Sequence, residues 1–192
     1  MIEVIEPTKF KTVPWKNGKG ETIEMVINSG GTLNEFDWRL SMASVVEDGV
    51  FSNFSDYTRN LILIAGDGIN LQYNDSKIDK LSNLLDYATF DGGDKTVGNL
   101  HTGEITDFNV IARTSRYNTE INCQKKAEHV AIEQSDICFI YSLFKSAELS
   151  FTDSSEIKHL PAGYLMKITD VKNDFAAISG ENIIIVYLTH CN

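Results

Sequence analysis

The sequence predicts an all-β protein, an antiparallel sandwich or barrel, and three observations carry that prediction. Short runs of apolar or alternating residues, each of strand length, recur from one end of the chain to the other. Polar and Gly-bearing turns separate them at short intervals, without the amphipathic helical spacers that βαβ units require. Pro is scarce, with three in 192 residues, and no segment is low in complexity, so no flexible linker divides the chain.

The strands follow in order. Residues 22–27 alternate and stop at Asn28, Ser29, Gly30 and Gly31; residues 36–46 alternate and stop at Glu47, Asp48 and Gly49. Residues 61–65 and 69–73 flank Gly66, Asp67 and Gly68, which predicts a hairpin with a Gly-rich turn. Residues 108–113, 127–133, 137–142, 147–151, 164–168 and 182–189 continue the pattern. A short helix is expected only over 80–87, and residues 91–106, rich in Gly and polar groups, are expected to form an irregular loop suited to a pocket rim or lid. Residues 61–73 and 137–151 both read as strand, turn, strand, a likeness that hints at a duplicated β unit.

Composition narrows the function. Hydrophobic residues make up 42% and charged residues 23%, ordinary for a globular chain. A net charge of −10 argues against nucleic acid, whose phosphates demand clustered Lys and Arg. Cys123, Cys138 and Cys191 are odd in number and form no CxxC, as expected of free thiols in a reducing cytoplasm. The first residues lack a basic segment followed by an apolar one, so no signal peptide is expected, and no apolar run is long enough for a helix to cross a bilayer.

One region carries chemistry. Trp15, Lys16, Asn17, Gly18, Lys19 and Gly20 form a Gly-rich turn that lacks the spacing of a phosphate loop. Soon after it come Trp38, Arg39, Leu40, Ser41, Met42 and Ala43. Alternation puts Arg39 and Ser41 on one face of a strand and Trp38, Leu40 and Met42 on the other. Turned inward, Arg39 can grip a carboxylate through parallel N–H groups; turned outward, it is an exposed Arg on a sheet. Asp107 and Asn109 share a face in the same way, and both types are rare in strands. Arg59 precedes an apolar strand and faces the same choice, and Phe90, Asp91 and Gly92 offer either a close backbone approach or a plain turn. His101, His129, His159 and His190 stand alone, without the His and carboxylate cluster of a β-barrel metal site. No nucleophile signature is present.

Taken in order, Trp15 to Thr22, Trp38 to Ala43, Gly49 to Ser52, Arg59, Gly66, Phe90 to Gly92, Thr106 to Val110 and Leu160 to Gly163 resemble the HutD/Ves family. The resemblance implies a cupin-like jelly roll, or double-stranded β-helix, in a bicupin arrangement within one domain spanning 1–192, its halves meeting near 115/116. It implies no metal at the usual cupin position, and no cofactor is expected. Some members accompany histidine-utilisation enzymes and are thought to bind a metabolite such as N-formyl-L-glutamate and limit flux; others carry stress-related labels. The chain departs from the family pattern at Ser55, Asp56 and Tyr57, where a Gly is common before the Arg.

The resemblance favours the inward reading of Lys16, Asn17, Arg39, Ser41, Arg59, Asp107 and Asn109, with Trp15, Phe90 and Gly92 as pocket wall. The first expectation is therefore a metal-free protein binding a small carboxylate, with the Arg and Lys groups on the carboxylate and the others reading amide or formyl groups. The alternative is a metal-independent isomerase or hydrolase with Asp107 as base and Arg39 beside a developing oxyanion. A third reading is an interaction protein whose apolar strand edge near 183–188 pairs with a partner or with a second copy in a homodimer. Neither nucleic acid nor membrane is an expected partner.

Overall fold

A computed structural model describes residues 1–15 and 21–191. Lys16 and Asn17 lie outside the described residues. Strands dominate, with one 3-10 turn at Pro7–Lys9 and no α-helix among the described residues; no helix there is long and apolar enough to cross a membrane. In chain order the strands are β1 (Ile2–Ile5), β2 (Lys11–Pro14), β3 (Glu21–Ile27), β4 (Trp38–Val45), β5 (Gly49–Val50), β6 (Tyr57–Ala65), β7 (Ile69–Tyr73), β8 (Lys77–Leu81), β9 (Tyr87–Asp91) and β10 (Thr96–Leu100). They continue as β11 (Ile105–Arg113), β12 (Tyr117–Gln124), β13 (Glu128–Ala131), β14 (Ser135–Ser142), β15 (Ala147–Phe151), β16 (Ile157–Leu160), β17 (Leu165–Val171), β18 (Ala176–Gly180) and β19 (Ile183–His190).

Two compact units result. One is Phe10–Arg116; the other joins Met1–Lys9 to Tyr117–Asn192. In the first, β2-β3-β4-β11-β6-β9 form one antiparallel sheet and β5-β10-β7-β8 a second. In the other, the sheets run β1-β17-β14-β19-β12 and β13-β18-β15-β16. Counting from β4 and from β12, the eight strands of each unit fall into the same order: first, eighth, third, sixth in one sheet and second, seventh, fourth, fifth in the other. This is the order of a cupin-like jelly roll. β1 adds to the second unit by pairing Ile2 with Ile168 and Ile5 with Leu165, so residues 2–5 belong with the second half of the chain.

The central strands β6, β11, β14 and β19 are buried along almost their whole length. That explains their near-continuous apolar runs, since a strand covered on both faces loses its alternation. Separate apolar cores fill the units. Leu61, Leu63, Ile69 and Leu71 anchor one, and Cys138, Ile140, Leu149, Met166, Ile178 and Ile185 anchor the other.

Four expectations need correction. Residues 61–65 and 69–73 are not a hairpin: β6 and β7 lie in different sheets. Gly66 and Gly68, at φ +92° and +124°, turn the chain from one sheet to the other where a Cβ on Gly66 would come within 2.5 Å of the Glu104 carbonyl oxygen. Residues 80–87 are not helical. β8 ends at Leu81, the Asp86 carboxylate accepts hydrogen bonds from the Ser82 and Asn83 amides, and Leu85 takes φ 65°, a conformation no helix continues. Residues 91–106 are not an irregular loop, because β10 pairs with β7 across their middle. Residues 183–188 are not an edge, because β19 sits between β14 and β12.

Candidate functional site

Register decides which polar side chains meet. Residues opposite one another across an antiparallel pair share a face. Between β4 and β11, Arg39 faces Ile111, Ser41 faces Asn109 and Ala43 faces Asp107. Between β6 and β11, Arg59 also faces Ile111. Glu24 on β3 faces Ser41. Six polar side chains from four neighbouring strands, Glu24, Arg39, Ser41, Arg59, Asp107 and Asn109, therefore stand on one face. The register shifts beside two of them, between Glu24 and Val26 on β3 and at Thr106/Asp107 on β11, and such bulges re-aim side chains locally.

Arg39, Ser41, Arg59, Asp107 and Asn109 form the floor of a cavity of about 600 Å³ inside the Phe10–Arg116 unit. Arg39 donates from Nε to Glu24 Oε2 at 2.8 Å, and both side chains are nearly buried. Among the described residues the two terminal nitrogens of Arg39 and the Ser41 hydroxyl make no hydrogen bond, and both residues line the cavity. Arg59 is held differently. It donates from Nη1 to the Ser52 carbonyl oxygen at 3.1 Å and from Nη2 to Asn109 Oδ1 at 3.3 Å, while its Nε is buried without a partner. Three rings surround its guanidinium, with centroids 5.4 Å (Phe51), 5.4 Å (Phe54) and 5.2 Å (Phe90) from Cζ. Asn109 donates from Nδ2 to Asp107 Oδ1, so one amide links the Arg59 cation to the Asp107 carboxyl and its orientation is set by both.

Burial dominates the electrostatics. It pushes the Asp107 carboxyl up to about 7, against the opposing pull of Arg59, the Asn109 amide and the Ala43 backbone amide. It also lowers Arg59 to about 10, with Asp107 opposing. Arg59 remains a cation at neutral pH, and Asp107 keeps its proton far above the usual carboxylate range. With Glu24 neutralising Arg39, the floor swings between one net positive charge and none as Asp107 titrates.

Most of the residues singled out from the sequence come together here. Arg39, Ser41, Arg59, Asp107 and Asn109 all line the cavity, as does Trp15, whose Nε1 donates to Thr22 Oγ1 at 2.8 Å. Phe90 and Gly92 do not line it. Phe90 backs the Arg59 guanidinium from the apolar core. Gly92 brings its backbone close to the chain itself: Phe54 N donates to Gly92 O at 2.7 Å and Gly92 N to Tyr57 O at 2.8 Å. Glu24, Phe51, Ser52 and Phe54 were not anticipated. An acid on strand β3 gives no local sign of its inward aim, and the role of residues 51–54 follows only from their contact with Arg59. Asp56 takes φ 70° just before β6, a left-handed conformation that Asp tolerates and Gly adopts freely. It supplies the turn for which the family pattern commonly carries a Gly.

In the second unit the corresponding strands carry apolar side chains among the described residues. There β14 and β19 place Cys138, Ile140, Ile183, Ile185 and Tyr187 in one buried apolar cluster. Among the described residues no three His, Cys, Asp or Glu side chains are grouped to hold a metal ion. His101 instead meets Asn70 at 2.8 Å and His129 meets Ser179 at 2.7 Å.

Comparison with known proteins agrees with the architecture. The HutD family description matches residues 7–185. An uncharacterised 21.2 kDa protein encoded 3′ of hutC in Pseudomonas putida is 34% identical over 120 residues, 62% of this chain and 63% of that protein; the match thus spans under two thirds of that relative's length. Protein Ves of Escherichia fergusonii is 28% identical over 142 residues, 73% of each chain. The structure of HutD from Pseudomonas fluorescens SBW25, in a formate condition, superposes with a TM-score of 0.84 at 25% identity and covers 100% of both chains.

Proposed function

The chain belongs to the HutD family, and from that premise we propose that its Phe10–Arg116 unit is a receptor for a small carboxylate metabolite of the N-formylglutamate kind, serving as a regulator of a catabolic pathway such as histidine utilisation. One observation carries the reading: Arg39 is fixed by Glu24 through Nε while its two terminal amino groups remain for a ligand on the cavity floor. That is the geometry in which a guanidinium holds a carboxylate with paired hydrogen bonds. Ser41 stands beside it as a hydroxyl donor or acceptor, and Asn109 and Asp107 supply amide and carboxyl groups for the polar remainder of the ligand. The relative encoded beside hutC and the HutD structure in a formate condition support the ligand class by analogy.

The test is a thermal-shift and calorimetric screen with formate, N-formylglutamate, glutamate and urocanate. A ligand at about a hundred times its dissociation constant stabilises the fold by about 2.7 kcal/mol. Arg39→Ala is expected to abolish the shift while the variant still unfolds cooperatively. Absence of any shift in the native protein would sink the proposal. The raised proton affinity of the Asp107 carboxyl favours a second reading, acid–base catalysis on the same ligand. Recovery of the ligand unchanged after incubation separates binding from turnover.

A further inference from the structure

The cavity has a polar floor and a largely apolar wall. Arg39, Ser41, Asp107 and Asn109, with Arg59, supply the floor; Leu33, Val46, Val50, Phe51, Phe54 and Trp15 supply the large apolar groups, and Glu47 and Asp48, between Val46 and Val50 in the chain, line the cavity as well. Leu33, Val46 and Val50 are 49%, 47% and 67% exposed. Few large apolar side chains are so exposed among the described residues, and these three, one from the turn between β3 and β4 and two from the stretch that ends in β5, meet at one mouth. Scattered exposed apolar residues need no explanation, but a convergent group around a cavity does.

Volume points the same way. Water occupies about 30 Å³ per molecule in the liquid, so the 600 Å³ would hold many waters around a one-carbon acid. Those against the floor find polar partners. Those against the Val, Leu and Phe wall do not, and displacing poorly held water with an apolar group gains affinity. The wall is also tied to the floor. Arg59 holds the Ser52 carbonyl oxygen and lies among the Phe51, Phe54 and Phe90 rings. The apolar wall is therefore kept at a set height above the polar groups.

Building on the carboxylate reading above, we infer that the preferred ligand is an amphiphilic carboxylate: a carboxylate head on Arg39 joined to an apolar body, acyl or aryl, that reaches Val46, Val50, Phe51 and Phe54. Head and body lie along one axis from floor to mouth. Leu33 and Trp15 close the sides, and the wall selects body length while the floor selects charge.

Titration calorimetry with the full chain tests this using formate, propionate, butanoate and hexanoate, with 3-phenylpropionate as an aryl body and hexanamide as the uncharged control. The expected result is a rise in affinity of about three- to fourfold per methylene as each is buried, strong binding of 3-phenylpropionate and loss of binding for hexanamide. Val50→Asp, at an exposed position where folding is not at stake, is expected to flatten the series. A series that is flat from formate to hexanoate overturns the amphiphile inference and leaves the carboxylate reading standing. Equal binding of hexanamide and hexanoate, or no binding by any acid, overturns both.

Discussion

Glu24 determines what Arg39 can offer. Buried guanidinium groups need a partner, and Glu24 satisfies Nε alone, which holds the group in place and neutralises it at once. The sequence carries no local sign of this role: Glu24 alternates with its neighbours as any strand residue does, and only the register against β4 shows that its face is the one bearing Arg39 and Ser41. Arg39, Ser41, Asp107 and Asn109 were more legible, because polar residues at alternate positions of apolar strands leave few ways to fold. Asp107 brings a pH dependence. Its carboxyl holds a proton up to about 7 in the folded protein and only to about 3.8 when unfolded. Between these values the native state binds more protons, so stability is lost as pH rises from about 4 to 7, by up to about 1.4 kcal/mol per pH unit. Asp107→Asn is expected to remove that slope, read by urea unfolding at intervals between pH 4.5 and 7.5; an unchanged slope would place the shift elsewhere.

Among the elements, the segment from β5 to the start of β6 gave the least away in the sequence and matters most to the cavity. Phe51 N bonds to the Thr96 carbonyl oxygen at 2.9 Å, and Phe54 N to that of Gly92 at 2.7 Å, so β9 and β10 fix the wall that Arg59 reaches from below. The sequence leaves Gly92 as either a close backbone approach or a plain turn; the structure shows an approach to Phe54 and Tyr57, with a Cβ meeting their carbonyl oxygens at 2.4 and 2.9 Å. Backbone cannot rotate aside as a side chain can. Gly92→Ala is expected to cost about 1–3 kcal/mol, measured by chemical denaturation, and to weaken hexanoate binding more than formate binding because the apolar wall is displaced. Strand existence was readable from apolar runs, but partners were not. The Gly66 to Gly68 turn resembles a hairpin locally and yet crosses between sheets, since short-range pattern says nothing about which edge a strand joins.

At the scale of the whole molecule, two units of one strand order have taken different courses. The likeness between residues 61–73 and 137–151 was readable because those stretches are β6-β7 and β14-β15, the third and fourth strands of each roll. What the sequence hid was that the first roll carries a polar-floored cavity beside its apolar core, whereas β14 and β19 of the second contribute Cys138, Ile140, Ile183, Ile185 and Tyr187 to one buried apolar cluster. Ile183 opens β19 opposite the last residue of β12 as Ile105 opens β11 opposite the last residue of β4, so Ile185 stands where the first roll has Asp107 and Tyr187 where it has Asn109. Ile185→Ala is expected to cost about 2–5 kcal/mol of stability, seen as an earlier denaturation midpoint, whereas Asn109→Ala, which strips the buried Arg59 and Asp107 of their shared partner, is expected to lower ligand affinity as well as stability. β1 has a further bearing on how the molecule is made. Its residues are synthesised before the Phe10–Arg116 roll and their pairing partners on β17 after it. That roll can therefore ripen while β1 still waits, and the late docking of β1, a contact of very long sequence separation, is the step where a slow phase or a misplaced edge would arise during biosynthesis.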